Sequence, residues 1–479
     1  MIFSSFSFLV FLVATLALYG AARNQRERAA LLLAASLIFY ASWRPAYLLL
    51  LLASLGINYL LYQRIVRTRS KPLLTVGVTL NLVFLGAAKY LAFLTESLFA
   101  LAGLVGLYAP SHAPAWMHWA LPLGISFYTF HMLSAMFDAY RGVWAKHVSF
   151  ARWCLYVTFF PHLIAGPILR PGQLIDQLGE LTPLRAENFR LGGTIFAAGL
   201  IKKTLFADNL APIADAAFNN PAGLDLVNAW VGTLAFAFQI YFDFSGYSEM
   251  AIGLACLFGV VLPRNFLYPY ISRNPTEFWR RWHITLSQWL RDYLYIALGG
   301  NRLGAVRTYV NLMATMVLGG LWHGANWTFV VWGALHGIYL IGHRLLNDAL
   351  RRVGVREHGE LDRVLSALGL PVTFILVLVT WVFFRAGTFS DAWAVLMAMV
   401  GQAEPARRIV DYRLYELAIV AASAGLVALE PAIVELTRRI GILWWWRIPF
   451  PLRGAAYASL VLVVLAFGGA TQKFIYFDF

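Results

Sequence analysis

In the run MVLGGLWHGANWTFVVWG, residues 316–333, His323 sits between Gly320 and Gly324 with Trp322 and Trp327 close by. Residues 308–342 hold no Asp, Glu, Lys or Arg, so this imidazole belongs to a stretch as apolar as a membrane segment. Ionisable groups in such surroundings are costly and by default mark function. An imidazole has an unperturbed pKa of about 6.5, and its neutral form can accept a proton, as a general base must. The competing reading is a structural histidine bonded to a neighbouring helix.

His283, in EFWRRWHITLSQW, is the second candidate. On a continuous helix it shares a face with Trp279, Ser287 and Leu290, and it reads equally as an interfacial polar residue beside arginine anchors. Arg280, Arg281 and Arg291 are such anchors, or else clamps for an anionic cytosolic substrate such as a nucleotide-bearing acyl donor. Asp243 and Glu249 lie in QIYFDFSGYSEMAIG with Ser245, Gly246 and Ser248. That pattern predicts a broken helix with polar groups facing a cavity, or more simply an interhelical hydrogen-bond network. Lys89, Lys202 and Lys203 read as snorkelling or paired charges. His162, in FFPHLIAGP, is a further candidate, followed by His131, His336 and His343. On one straight helix His323 and His336 would lie on opposite faces about 20 Å apart, which disfavours a shared haem unless GANW turns the chain.

Standard chemistries are missing. The chain has no P-loop, GxGxxG fingerprint, HExxH or GxSxG elbow. Cys154 and Cys256 both fall in apolar runs, as small hydrophobes rather than metal ligands, and no CxxC is present.

The elements that must position these residues follow from composition. Of 479 residues, 60% are hydrophobic and only 13% charged, against about 25% charged in soluble chains. The mean hydropathy is +0.65. Apolar runs long enough to cross a bilayer recur throughout, which predicts an all-α polytopic membrane protein solvated by lipid. The net charge of +14 comes with arginines gathered in short loops between apolar runs. This is the positive-inside pattern and argues against a nucleic-acid partner.

With loop 22–29 in the cytoplasm, a retained first helix starts outside. Spans follow near 29–43, 46–62, 72–106, 120–140, 192–217, 229–262, 365–384, 414–432 and 453–470. FFPHLIAGPILRPG, with Pro161, Gly166, Pro167 and Pro171, predicts a re-entrant or broken helix buried in protein. Residues 263–307 carry seven arginines against two acids. Asn274-Pro275-Thr276-Glu277 is a helix start, and Phe278, Trp282, Trp289 and Tyr293 recur on one side. An amphipathic helix at the cytoplasmic interface is expected there. Residues 308–342 enter and leave on one side as a pair of short arms whose glycine-rich tip, GGLWHGAN, carries His323. About eleven membrane segments result, in a single membrane-embedded domain 1–479 with its chemical core at about 120–345.

LPLGISFYTF, FFPHLIAGPILRP, YFDFSGYSEMAIGLA, NPTEFWRRWHITLSQWLRDYLYIALGGNR and LGGLWHGANWTFVVWGALHG, in this order, resemble the membrane-bound O-acyltransferase family. The nearest branch is the bacterial one that includes the membrane subunit of alginate O-acetylation. Cellulose and peptidoglycan O-acetylation proteins are close, and the D-alanyl transferase of teichoic acids is more distant. The resemblance implies a multi-helix fold with a tunnel or funnel joining the two faces of the bacterial inner membrane. It implies acyl transfer from a cytosolic donor, acetyl-CoA, with no bound cofactor, to an outer acceptor such as a polysaccharide. Periplasmic acetyltransferase partner proteins would receive or deliver the acetyl group. The LWHG and WRRWH histidines of the family map to His323 and His283. Glu249 stands where aspartate is usual, and His131 where Gln or Glu is usual.

On this reading His323 takes the proton of the acceptor hydroxyl as its oxygen attacks the thioester carbonyl. Trp322, Asn326 or a glycine N–H donates to the oxyanion, Asp243 and Ser245 support the tunnel, and His283 assists near the donor-binding arginines. An acyl-histidine intermediate is an alternative. The rivals are a polysaccharide or lipid transporter without covalent chemistry, and a haem-binding electron carrier.

Overall fold

The computed structural model describes residues 1–108, 110, 112–117, 121–354, 359–403, 412–441, 444–467 and 474–475, and among them every regular element is a helix. In the amino-terminal part these are α1 Phe6–Ala21, α2 Gln25–Ala41, α3 Pro45–Thr68, α4 Lys71–Leu104, α5 Ile125–Arg141, α6 Phe150–Thr158 and α7 Pro171–Leu178. Next come α8 Ala186–Ile201, α9 Asp208–Phe218, α10 Leu226–Leu257, α11 Pro275–Arg281, α12 Ile284–Trp289, α13 Ala305–His323 and α14 Trp327–Arg352. The last are α15 Glu360–Arg385, α16 Phe389–Met399, α17 Leu414–Ile440 and α18 Phe450–Phe467. Among the described residues five stretches are long and apolar enough to cross a membrane: 45–68, 71–104, 327–352, 363–385 and 414–440. Many of their large apolar side chains point outward, such as Leu49, Leu60, Val83 and Leu429. In water that arrangement would be penalised; in lipid it is the solvated state.

Helix starts are written in the short polar turns. Ser5 accepts from Phe8 N, Asn24 from Glu27 N, and Ser70 from Leu73 N, each satisfying an orphan donor of the first turn. Pro45 occupies the first turn of α3, where its missing N–H costs nothing.

Helix α10 is the axis of the molecule. Its amino-terminal half, up to Phe242, packs in one core with α9, α11 and α15–α17, and its other half packs in a second core with α1–α7. It is one continuous helix of 32 residues, not the broken helix predicted from FDFSGYS. The polar and small residues there serve helix packing. A Cβ added at Gly246 would stand 2.7 Å from the carbonyl of Gly199 on α8, and one at Gly253 would stand 2.6 Å from that of Gly192. Two pairs of facing glycines, each spaced by seven, let the backbones of α8 and α10 touch. Gly246→Leu is therefore expected to lose the monodisperse peak in detergent size-exclusion chromatography. Gly193→Ala, on α8 next to Gly192 but with open space around it, should leave that peak unchanged.

The charges of α10 are neutralised by the π turn 202–207 that joins α8 to α9. Lys203 Nζ lies 2.8 Å from Asp208 and 2.7 Å from Asp243, whose other oxygen accepts from Ile475 N at 2.8 Å. Lys202 Nζ lies 2.6 Å from Glu249 and 2.9 Å from Glu430, and Glu430 also accepts from Tyr241 OH. The paired-charge reading of these lysines and the network reading of Asp243 and Glu249 both hold.

Two expectations hold in outline and fail in detail. The proline-rich stretch after α6 is irregular backbone, and residues 159–169 are buried, as required of unpaired backbone in an apolar protein. The pair of arms around GGLWHGAN exists as α13 and α14, but the arms are full length. At 1.5 Å per residue the 19-residue α13 rises about 28 Å. The uncharged window understated them because both helices continue past it into Arg307 and Arg344. Where the arms pack together, a Cβ added at Gly320 would stand 3.2 Å from Gly333 Cα.

Candidate active site

His323 is the last residue of α13, buried at 3% exposure, and the chain turns at Gly324–Asn326 into α14. The last carbonyls of a helix have no partner inside it. Here two side chains of α4 supply the missing donors. Lys89 Nζ donates to Trp322 O at 2.6 Å and to His323 O at 3.0 Å, and Tyr90 OH donates to Leu321 O at 2.6 Å. A cation at this end also opposes the helix dipole. The turn thus fixes the backbone that carries the imidazole.

The ring of His323 packs edge-on against Trp322, Trp332 and Phe384, with centroids 5.0, 5.0 and 5.4 Å away. His336 meets the other side of Trp332 at 4.7 Å, so the GANW turn does bring both histidines against one indole. Beside His323 is a cavity of about 60 Å³, bounded among others by Lys89, Trp43, Ser126, Phe127 and Trp322. It has room for a few water-sized groups.

Trp322 stands between the two motif histidines. Its ring lies 5.0 Å from His323 and 6.1 Å from His283, and it stacks on Phe130 at 5.4 Å. Its buried Nε1–H has no acceptor among the described residues. That leaves it available as a donor.

His283 corrects the expected amphipathic helix. The Asn274 cap and Pro275 are in place, with Asn274 accepting from Glu277 N at 2.8 Å. The helix then stops at Arg281, and His283 adopts φ +41°, the left-handed region, before α12 begins. The break has a visible cause. Residues 265–267 run alongside and bond both sides of it, Leu267 N to Arg281 O and Ile284 N to Asn265 O, each at 2.9 Å. These bonds replace those that a continuous helix would make. A left-handed conformation costs an L-residue about 1–2 kcal/mol, and such strain gathers at functional positions.

The same segment orients the ring. Asn265 Oδ1 accepts from Thr285 N at 3.2 Å, Thr285 Oγ1 at 3.0 Å and His283 Nδ1 at 3.2 Å. A backbone N–H can only donate, so Thr285 N fixes which end of the amide is oxygen. His283 Nδ1 therefore carries the proton, and the lone pair of the neutral ring is on Nε2. Nε2 is buried without a partner among the described residues. Asn265 Nδ2 in turn donates to Ser248 Oγ at 3.3 Å, and Thr285 Oγ1 accepts from Ile168 N at 2.9 Å. The proline-rich loop, α10 and α12 are tied together at this one histidine.

Asparagine tolerates left-handed backbone far better than a β-branched residue. His283→Asn should melt within about 1 kcal/mol of the parent protein, whereas His283→Val should lose about 2 kcal/mol or more. Thermal unfolding in detergent measures both, and equal melting of the two would contradict the strained turn.

The other sequence candidates divide. Arg280, on α11, and Arg291, in the π turn that follows α12, are both exposed. Arg291 and Arg170 pair with Asp292, and although partial burial opposes ionisation they hold its carboxyl below the usual range. Arg281 is a strut, bonded to Glu277 at 2.6 Å. Asn326 does not aim its amide at the site: Oδ1 caps α14 by accepting from Thr328 N at 3.0 Å, and Nδ2 donates to Gly387 O at 2.9 Å. Asp243 is held by Lys203, and Ser245 is buried in the middle of α10. His131 and His162 form a separate buried pair with rings 4.7 Å apart. Sequence reasoning missed Asn265, Thr285 and Tyr90, and read Lys89 only as a snorkelling or paired charge.

Helices with large apolar side chains turned outward thus bury His283 and His323 on either side of Trp322. The model of the MBOAT, membrane-bound O-acyltransferase, family matches residues 58–393, and the chain belongs to that family. It is a multi-pass membrane protein and an O-acyltransferase. It is 46% identical over 407 residues to the probable alginate O-acetylase AlgI of Pseudomonas aeruginosa, covering 83% of this chain and 75% of that one. It is 39% identical over 400 residues to the peptidoglycan O-acetyltransferase of Helicobacter pylori, covering 77% and 73%. The teichoic acid D-alanyltransferase of Streptococcus thermophilus is 28% identical over 57% of this chain and 69% of its own. Family membership decides against the transporter and haem-carrier readings.

Proposed function

We propose that the protein moves acetyl groups from acetyl-CoA in the cytosol to an acceptor outside the bacterial inner membrane. The acceptor is a polysaccharide such as alginate, reached through a periplasmic acetyltransferase partner. The likeness to the alginate O-acetylases supports the acceptor class and the acetyl group.

One observation carries the mechanism: the order of groups across the fold. His283, three residues after the exposed Arg280, is followed in space by Trp322, then His323 and the cavity. Trp43 and residues 121–124, which border that cavity, sit at the ends of α2, α3 and α5 opposite their basic loops. By the positive-inside rule the cavity faces the outside and the arginines face the cytosol. A tunnel from one to the other, in one domain spanning 1–479 with its core at about 120–345 and about eleven membrane segments, completes this reading.

In the transfer step the acceptor hydroxyl oxygen attacks the thioester carbonyl carbon, and His323 takes its proton. Trp322 Nε1–H donates to the oxygen on which charge develops. The C–S bond then breaks and the sulfur leaves with the proton, giving an ester and free CoA thiol. His283, with its lone pair on Nε2, assists from the donor side, and the exposed arginines hold the CoA phosphates. The test is transfer of label from radiolabelled acetyl-CoA by the purified protein in lipid, supplied with a periplasmic partner and deacetylated alginate. Labelled polymer supports the reading. A folded protein that labels nothing from acetyl-CoA rules out this donor.

A further inference from the structure

Three lysines held inside the fold, Lys203 buried and Lys89 and Lys202 half-buried, differ in one respect. Lys202 and Lys203 each lie between two carboxylates. Lys89 is held by two backbone carbonyls, those of Trp322 and His323, and no carboxylate pairs with it among the described residues. An ammonium has three N–H donors, and these bonds use two. Among the side chains that bound the cavity beside His323, Lys89 is the one of Asp, Glu, Lys or Arg type. The dipole of α13 offsets that charge only in part, because a helix end is worth about half an elementary charge. A cation without a counterion on the wall of a small cavity is a site for negative charge, and attraction is strong where water is scarce.

We propose that Lys89 is a further residue of the transfer site, stabilising through its charge the oxyanion formed beside His323. The proposal rests on the reading of His323 as the group at which acetyl is transferred. As the hydroxyl oxygen bonds to the thioester carbon, the carbonyl π pair moves onto oxygen. When the tetrahedral species collapses, that pair re-forms the carbonyl and the C–S electrons leave with sulfur. Lys89 neither gains nor loses a proton. The negative charge that lasts from attack to collapse is what it stabilises.

A helix-capping role and an electrostatic role predict different results, and Tyr90 separates them, since it caps the same helix end without charge. Lys89→Gln keeps a donor for the carbonyls and removes the charge. Lys89→Arg keeps the charge. Tyr90→Phe removes only a capping bond. Acetyl transfer from labelled acetyl-CoA and thermal melting in detergent would be measured for the full-length protein and each variant. Lys89→Gln is expected to lower kcat by about 10²-fold with KM within about 3-fold, because removing one oxyanion donor costs 10²–10³ in rate. Lys89→Arg should recover about a tenth or more of the rate, and Tyr90→Phe should stay within about 3-fold of the parent. Wild-type turnover by Lys89→Gln overturns the proposal. So does a parallel fall of Lys89→Gln and Tyr90→Phe in rate and melting temperature, which would make Lys89 a cap alone. Absence of transfer by the parent protein would overturn the proposed function, and its donor, on which this rests.

Discussion

His323→Gln is expected to lower acetyl transfer by about 10²–10⁴-fold, the range that a positioned general base contributes. Glutamine fills a similar volume and can hydrogen-bond, but it cannot take a proton at neutral pH. The backbone of residue 323 is held independently of its side chain, since Lys89 bonds its carbonyl and Tyr90 that of Leu321. The variant should therefore elute and melt like the parent protein, with the loss in kcat rather than KM. Initial rates with labelled acetyl-CoA, set beside melting curves, measure this. A well-folded variant with the parent rate would make His323 structural and shift the search for the base to His283.

The second large effect is expected far from any motif, at Asn265. Leucine there matches the volume but removes Oδ1, the shared acceptor of Thr285 N, Thr285 Oγ1 and His283 Nδ1. Each buried group left unsatisfied costs about 1–3 kcal/mol, so Asn265→Leu should destabilise by roughly 3 kcal/mol or more. It should also cut turnover by at least about 10-fold, because nothing then holds the His283 proton on Nδ1. Asn265→Asp keeps the acceptor oxygen, and it should retain more activity than Asn265→Leu despite burying a carboxylate. Equal activity of Asn265→Leu and the parent would show that the tautomer of His283 is immaterial.

Local signals were legible in the sequence, and long-range ones were not. The glycine-rich tip with His323, the Asn274-Pro275 helix start and the buried proline-rich loop could be read because each depends on residues within a few positions. The break at His283 could not. WRRWHITLSQW has helical periodicity throughout, and the segment that interrupts it lies at 265–267, bonded through its backbone. The continuity of α10 was missed for the opposite reason. Ser245, Gly246 and Ser248 look like a helix breaker until α8 is seen packed against Gly246. Lys89 reaches its carbonyls across 234 positions of sequence, and no periodicity records such a contact.

The central claim is that acetyl crosses from one face of the protein to the other through His323. The most direct measurement places the protein in sealed vesicles with the arginine face inward, labelled acetyl-CoA inside, and partner protein with polymer outside. Labelled polymer outside, free CoA thiol inside, and loss of both with His323→Gln are expected. Label that stays on the donor side, or that reaches the polymer equally with His323→Gln, would contradict it.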